Sequence, residues 1–405
     1  MLTPHPSPLT PPVAPPISRS SSPWEWMRAN LFSTWYNVIL TIVCALVIVV
    51  GVSNLLRWVF GIAQWNVVAT NLQLFFIGRF PPELYWRVWL SLGVLAGLAG
   101  ISWGFARKNA RLLSRSSLIA LGVVVAAVIL LPLPLSSRLW LLAIALVAIV
   151  GYAVGRQLPP NLSSWLPVYW GVAFLIVWWF IKGGLGLIPT PTTVWSGLLL
   201  TLLTATTSII LSFPLGVLLA LGRQSQLPVV RGLSTLYIEV IRGLPLIGIL
   251  FLAQVMLPLF LPPWFRDLDR VLRAIAGLVL FSAAYLAENV RGGLQAVPRG
   301  QAEAAQALGL NPPLTVSLIV LPQALRAVIP AIVGQFISLF KDTSLLALFG
   351  LLELTGIARS ILAQPEFIGR YAEVYLFIGL IYWIFCYGMS LASRNLERKL
   401  NVGQR

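Results

Sequence analysis

Residues 303–322 read EAAQALGLNPPLTVSLIVLP, a soluble-looking island in an otherwise very apolar chain. Glu303, Ala304 and Ala305 start a short helix, with Ala302, Ala305 and Gly309 recurring on one side at helical spacing. Gly309 carries no Cβ and suits the left-handed conformation of a sharp helix stop. Pro312 and Pro313 tolerate a new helical start, which Leu314, Leu318 and Leu321 line on one face before Pro322. Two short helices with a bend, held between apolar segments, form a knob suited to meeting a partner.

Those apolar segments set the class. Of 405 residues, 58% are hydrophobic and 10% charged, against about 25% charged in a soluble domain. Mean hydropathy is +0.87, and apolar runs near the ~20 residues that cross a bilayer recur along the chain. Spans are expected at about 38–60, 87–106, 117–133, 138–154 and 168–188, then 195–221, 236–260, 271–290, 326–350 and 373–393. The expected fold is therefore an all-α integral membrane protein with about ten transmembrane helices, five plus five, bathed in membrane lipid. Residues 1–23 are rich in Pro and Ser and read as a disordered tail rather than a secretory signal, and an interfacial segment follows to 37. Trp24, Trp26 and Trp35 mark the approach to the membrane, and 61–86 reads as an external loop with interfacial aromatics.

The net charge of +16 is a matter of topology. Arg107, Lys108, Arg111 and Arg115 crowd one short loop, and Arg394, Arg398, Lys399 and Arg405 follow the last span. Arg223, Arg231, Arg291, Arg299 and Arg326 fall on the same side, with fewer basic residues opposite. The positive-inside rule then puts both termini and the 303–322 knob in the cytoplasm. No basic run interleaves with aromatics on one face, so no nucleic-acid partner is expected.

The spacing of Glu303-Ala304-Ala305, three residues, Gly309, nine residues, then Ile319-x-Leu321-Pro322 resembles the EAA coupling loop of ABC importer permeases. The likeness continues in VWSGLLLTL at 194–202, ALGR at 220–223, IEVIRGLPL at 238–246, AYLAENVRGGLQAVPRGQAEAAQALGL at 284–310 and KDTSL at 341–345. These segments resemble the polar amino-acid branch of that family, and the added amino-terminal helices resemble the larger permeases of general L-amino-acid importers. The resemblance implies a type I permease domain at 194–394, preceded by amino-terminal spans at 38–190 and followed by a cytoplasmic tail at 395–405. It implies a bacterial inner-membrane permease that moves polar amino acids by alternating access. Its partners would be a cytoplasmic ABC ATPase dimer, a periplasmic amino-acid-binding protein, an amino-acid substrate and a second homologous permease. That second subunit would make a heterodimer, with a homodimer left open. Glu303, Ala304, Ala305, Gly309, Ile319, Leu321 and Pro322 would couple to the ATPase.

Ionisable groups inside spans are costly and so are functional candidates. Glu239 and Arg242, at i,i+3, suggest a local ion pair, and Glu288 and Arg291 have the same spacing. Glu288 could instead meet the ammonium group of a substrate. Lys341 and Asp342 fall near the middle of the expected 326–350 span and are followed by Thr343 and Ser344. Together these supply an anion-binding, a cation-binding and two hydroxyl groups for a zwitterion, although a structural polar kink explains them as well.

Enzymatic chemistry has no footing in the sequence. His5 is the only histidine and Cys44 and Cys386 sit in apolar runs, which argues against metal ligation, a disulfide and histidine catalysis. Without a G-x-x-x-x-G-K-[ST] loop no cofactor is expected on this chain, so ATP and Mg would be bound by a partner subunit. A secondary transporter built from inverted repeats is the competing reading. It gives the 303–322 knob no role.

Overall fold

A computed structural model describes residues 22–107, 122, 134–263 and 267–400. Among them the chain is helical throughout, and its only β features are isolated bridges at Gly184–Leu187 and Gly197–Glu353. Eight helices are long and apolar enough to cross a membrane, and a bent pair makes a ninth. The expected span at 117–133 lies outside the described residues.

Residues up to Gln64 form one compact unit and residues from Trp65 a second. The first contains α1 (Pro23–Asn30), with a capping box between Ser22 and Glu25, and α2 (Trp35–Arg57), which ends in a π turn at Trp58–Ile62. No side chain of α2 is buried within its unit, Cys44 included.

The second unit corrects the reading of 61–86 as a loop. Asn66–Ile77 is a helix, α3, which buries Val67, Val68, Asn71 and Phe75 at helical spacing. It packs on the helix that begins at Gly197 and on two late ones, so its aromatic content reflects packing as much as an interface. α4 (Tyr85–Ala106) and α5 (Leu135–Gln157) then lie backbone to backbone. A Cβ on Gly100 would stand 2.2 Å from the Ala148 carbonyl, and one on Gly155 2.3 Å from that of Ile101. Small residues permit this approach, the usual way of gaining van der Waals contact where lipid supplies no hydrophobic drive. α6 (Leu166–Lys182) completes the amino-terminal helices.

The carboxy-terminal half begins with α7 (Gly197–Arg223), whose buried face is mostly Thr, Ser, Gly and Ala. α8 (Pro228–Gly243) is amphipathic, and α9 (Leu246–Phe251) follows it across a bend of 106°. The single straight span expected at 236–260 is thus replaced by a broken one. Its break falls at Leu244-Pro245, where the proline ring pushes the preceding residue out of helical conformation. α10 (Arg270–Ala296) packs along α7, and α11 (Arg299–Ala307) forms the knob. α12 (Leu321–Asp342) is entered through Pro312–Leu314 and a π turn at Thr315–Val320, and it continues as a 3-10 turn over Thr343–Phe349. α13 (Leu354–Leu362) and α14 (Tyr371–Leu400) close this half. Five spans therefore lie in 194–394 when the bent pair counts as one. Phe80, Val88 and Ile181 share a core with Trp195, Leu200 and Leu278, so packing does not break at the expected boundary near 190.

Candidate functional site

The knob is built by local rules. Pro298 stops α10's continuation and caps α11. At its far end the Leu310 N–H donates to the Ala305 carbonyl at 3.1 Å and the Gly309 N–H to that of Gln306 at 2.9 Å. This is a Schellman stop, and it needs Gly309 at φ +85°. Nothing lies within 4 Å of a Cβ built there, so a side chain at Gly309 would be opposed by backbone strain alone. The Asn311 side chain accepts from the Leu314 N–H at 3.0 Å and starts the next turn. Ala305 and Thr315 are buried between the two arms. Glu303 and Ala304 face outward with Leu308, which is 85% exposed, and Pro322, while Ile319 and Leu321 are half-buried. The knob thus presents an exposed carboxylate on α11 and an exposed leucine at the cap that ends it.

Behind the knob stands a charge cluster that the i,i+3 spacing only half foretold. Glu288 does meet Arg291, whose Nη2 donates at 2.9 Å. The same carboxylate also takes Arg223 of α7 at 2.6 Å and Arg242 of α8 at 3.4 Å. Glu239 pairs with Arg223 at 2.8 Å rather than with Arg242. Side chains one turn apart on α8 thus point to different partners, because the neighbouring helices offer opposite charge at closer range. Glu288 has both oxygens engaged by guanidinium groups, an arrangement that leaves little for a substrate ammonium.

Lys341 and Asp342 are not mid-helix. They are the last two residues of α12, where the chain tightens into the 3-10 turn. Lys341 is exposed, Asp342 and Ser344 are half-buried, and the buried Thr343 hydroxyl donates to the Phe340 carbonyl at 2.7 Å. Arg270 of α10 donates from Nη2 to the Phe349 carbonyl at 2.6 Å and so anchors the end of this turn. A cleft of about 1030 Å³, lined by α4, α6, α7 and α12 and by Leu396 of α14, has no ionisable lining residue among the described residues. A zwitterion would find no countercharge there.

A node missed in the sequence lies at the opposite end of α7 from the knob. Fully buried Glu353 accepts from the Gly356 and Thr355 N–H groups, each at 2.9 Å, and from the Tyr382 hydroxyl at 3.2 Å. The Gly197 N–H donates to the Leu352 carbonyl at 2.7 Å, and the Leu354 N–H to Thr201 Oγ1 at 3.0 Å. Glu353 caps α13 while α7 and α14 are tied to it. Burial pushes its carboxyl up to about 7, against the pull of the N–H donors. Glutamate is not among the residues favoured at a helix N-cap, so L-E-L-T-G does not announce this role.

Two full-length likenesses decide the family. The inner membrane amino-acid ABC transporter permease protein YhdY of Escherichia coli is 37% identical over 412 residues, spanning 98% of each chain. The chain belongs to the amino-acid ABC transporter permeases. The permease protein BztC of a Rhodobacter capsulatus glutamate/glutamine/aspartate/asparagine transport system is 35% identical, over 100% of this chain and 98% of that one. Residues 212–402 match the family of binding-protein-dependent transport system inner membrane components. A solved amino acid ABC transporter is similar over 50% of this chain and 92% of its own, at 30% identity and TM-score 0.45. Membership makes this permease a multi-pass transport subunit of an ABC system rather than an enzyme, and the inverted-repeat alternative is not favoured.

Proposed function

We propose that this permease is one membrane half of an ATP-driven importer for polar L-amino acids, coupled to its ATPase through α11. The observation that carries this reading is the Schellman-stopped helix with Glu303 and Leu308 exposed beside it. A cytoplasmic ATPase dimer, holding ATP and Mg itself, covers that surface, and a second permease, homologous but not identical, completes the membrane pair. Both termini face the cytoplasm, and a periplasmic binding protein delivers substrate to the opposite face. Glutamate, glutamine, aspartate and asparagine, in the name of the relative from Rhodobacter capsulatus, are the first substrates to try. In transit the amino acid passes the end of α12, where Lys341, Asp342 and Ser344 offer charge and hydroxyl and Thr343 holds the turn. The carboxylate of Glu288 is occupied, which favours a structural role for it over an ammonium contact.

The test is uptake by the assembled transporter. Gly309→Val places a β-branched residue at φ +85°, and Glu303→Lys reverses an exposed charge. Both should abolish uptake with the chain still inserted and assembled, and normal uptake by both removes the coupling role. Asp342→Asn should lower uptake or alter preference among acidic, neutral and basic amino acids. A fall in assembly alone would make Asp342 structural.

A further inference from the structure

Three of the motifs noted in the sequence, ALGR, IEVIRGLPL and AENVRGGLQAV, take no part in the docking knob, yet the fold brings their charged residues to one point. Arg223 is the last residue of α7, Glu239 and Arg242 lie in the last turns of α8, and Glu288 and Arg291 lie in α10. We propose that these five residues form a latch through which displacement of α11 reaches the bent span, with Glu288 as its hub and Arg242 as the arm that opens. The proposal rests on the coupling reading of α11.

The mechanical link is short and stiff. Glu288 stands eight residues before the end of α10 at Ala296, roughly 12 Å along a continuous helix. Between them, Gly293 is pressed on α12, where an added Cβ would lie 2.5 Å from the Ala324 carbonyl. The two helices that carry the knob are thus clamped together just behind it, and they move its displacement as one body. On the other side of the hub, Arg242 is followed at once by Gly243, Leu244 and Pro245, where the span bends by 106°. A change at Arg242 is a change at the bend.

The contacts are graded in the order the mechanism needs. Arg223 and Arg291 hold Glu288 at 2.6 and 2.9 Å, whereas Arg242 reaches it at 3.4 Å and has the most exposed of the three arginine side chains. The Arg242 guanidinium also lies 5.8 Å from the centre of the Tyr285 ring, one turn earlier on α10, so it keeps a hold on that helix when it slips from the carboxylate. The cluster sets three guanidiniums against two carboxylates. Withdrawing Arg242 therefore leaves Glu288 neutralised by the other two, and no buried carboxylate is stranded. Partly exposed pairs of this kind exchange at little cost, and re-closing regains a charge-assisted hydrogen bond.

The experiment uses the complete transporter in proteoliposomes, with ATP hydrolysis measured with and without substrate-loaded binding protein. Arg242→Ala should cut the stimulation about fivefold or more, with basal hydrolysis and complex assembly unchanged, and Arg242→Lys should restore most of it. Glu288→Gln should act in the same direction and further. Wild-type stimulation in Arg242→Ala overturns the latch. So does a parallel loss of basal rate, stimulation and assembly that Arg242→Lys fails to repair, since that is the mark of a packing role. Gly309→Val run alongside separates the two readings: normal uptake there removes the docking role, whereas loss of uptake in Gly309→Val beside a normal Arg242→Ala removes only the latch.

Discussion

α7 joins two kinds of fastening about 40 Å apart by its helical rise. At its Arg223 end, charge meets charge at side chains that are a sixth to a half exposed. At its Gly197 end, a fully buried carboxylate is held by two N–H groups and one hydroxyl, and no basic partner is within salt-bridge distance among the described residues. Solvated ion pairs exchange partners cheaply because water compensates the loss. A buried polar node has no such substitute, and each donor left open costs its full desolvation. The permease therefore has a yielding joint behind α11 and a fixed one at the far end of α7, the arrangement that the proposed latch requires.

The largest effect expected of this contrast is at the fixed joint. Glu353→Ala leaves two amide donors and the Tyr382 hydroxyl without their acceptor and removes the cap of α13. A loss of at least ~3 kcal/mol is expected, read as a fall in melting temperature of the detergent-purified chain and in the amount inserted. Melting like the wild type would mean that the far end is no more fixed than the near one.

A smaller effect follows from the Glu353 carboxyl, pushed up to about 7 by burial from an ordinary 4.5. With the folded value above the unfolded one, the stabilising proton is held by the folded state. The contribution is complete below pH 4.5 and is lost as pH rises through 7. Between pH 5 and pH 8 the purified chain should lose about 2 kcal/mol, and Glu353→Gln should flatten that slope. An unchanged slope in Glu353→Gln assigns the titration elsewhere.

The knob and the two joints were unequally visible in the sequence, for a physical reason. The knob is made by contacts within a few residues, so Gly309, Pro312 and the alanine spacing announce it in order. The spans follow from hydropathy alone, and most helix ends fall within a few residues of the apolar runs. α3 was missed although Val67, Val68, Asn71 and Phe75 keep helical spacing, because a short helix beside aromatics imitates an interfacial loop. The break at Leu244-Pro245 carried its own proline signal inside an otherwise unbroken apolar run. Arg223, Glu239 and Arg242 have partners 16 to 65 positions away, and nothing local distinguishes such a pair from the i,i+3 neighbours. Glu353 is hidden for the same reason, its hydroxyl donor being 29 residues away.

The smallest expected effect is the most discriminating. Arg223→Ala removes the one side chain that touches both carboxylates of the latch, at 2.8 and 2.6 Å. Arg291 and Arg242 remain on Glu288, and Glu239 is 54% exposed and returns to water. The stability lost should stay at or below ~1 kcal/mol, visible as a small shift in melting temperature with normal assembly. Salt should act in the same direction on the wild type, since screening shortens the reach of exposed charges from about 10 Å at 0.1 M to about 3 Å at 1 M. Substrate-stimulated hydrolysis should then fall with ionic strength in the wild type and depend on it much less in Arg223→Ala, whose latch is already weakened. The Glu353 node, buried and with no basic partner within salt-bridge distance among the described residues, should give the same pH slope at both ionic strengths. A pH slope that collapses in salt, or a latch indifferent to it, would reverse the assignment of the yielding and the fixed joint.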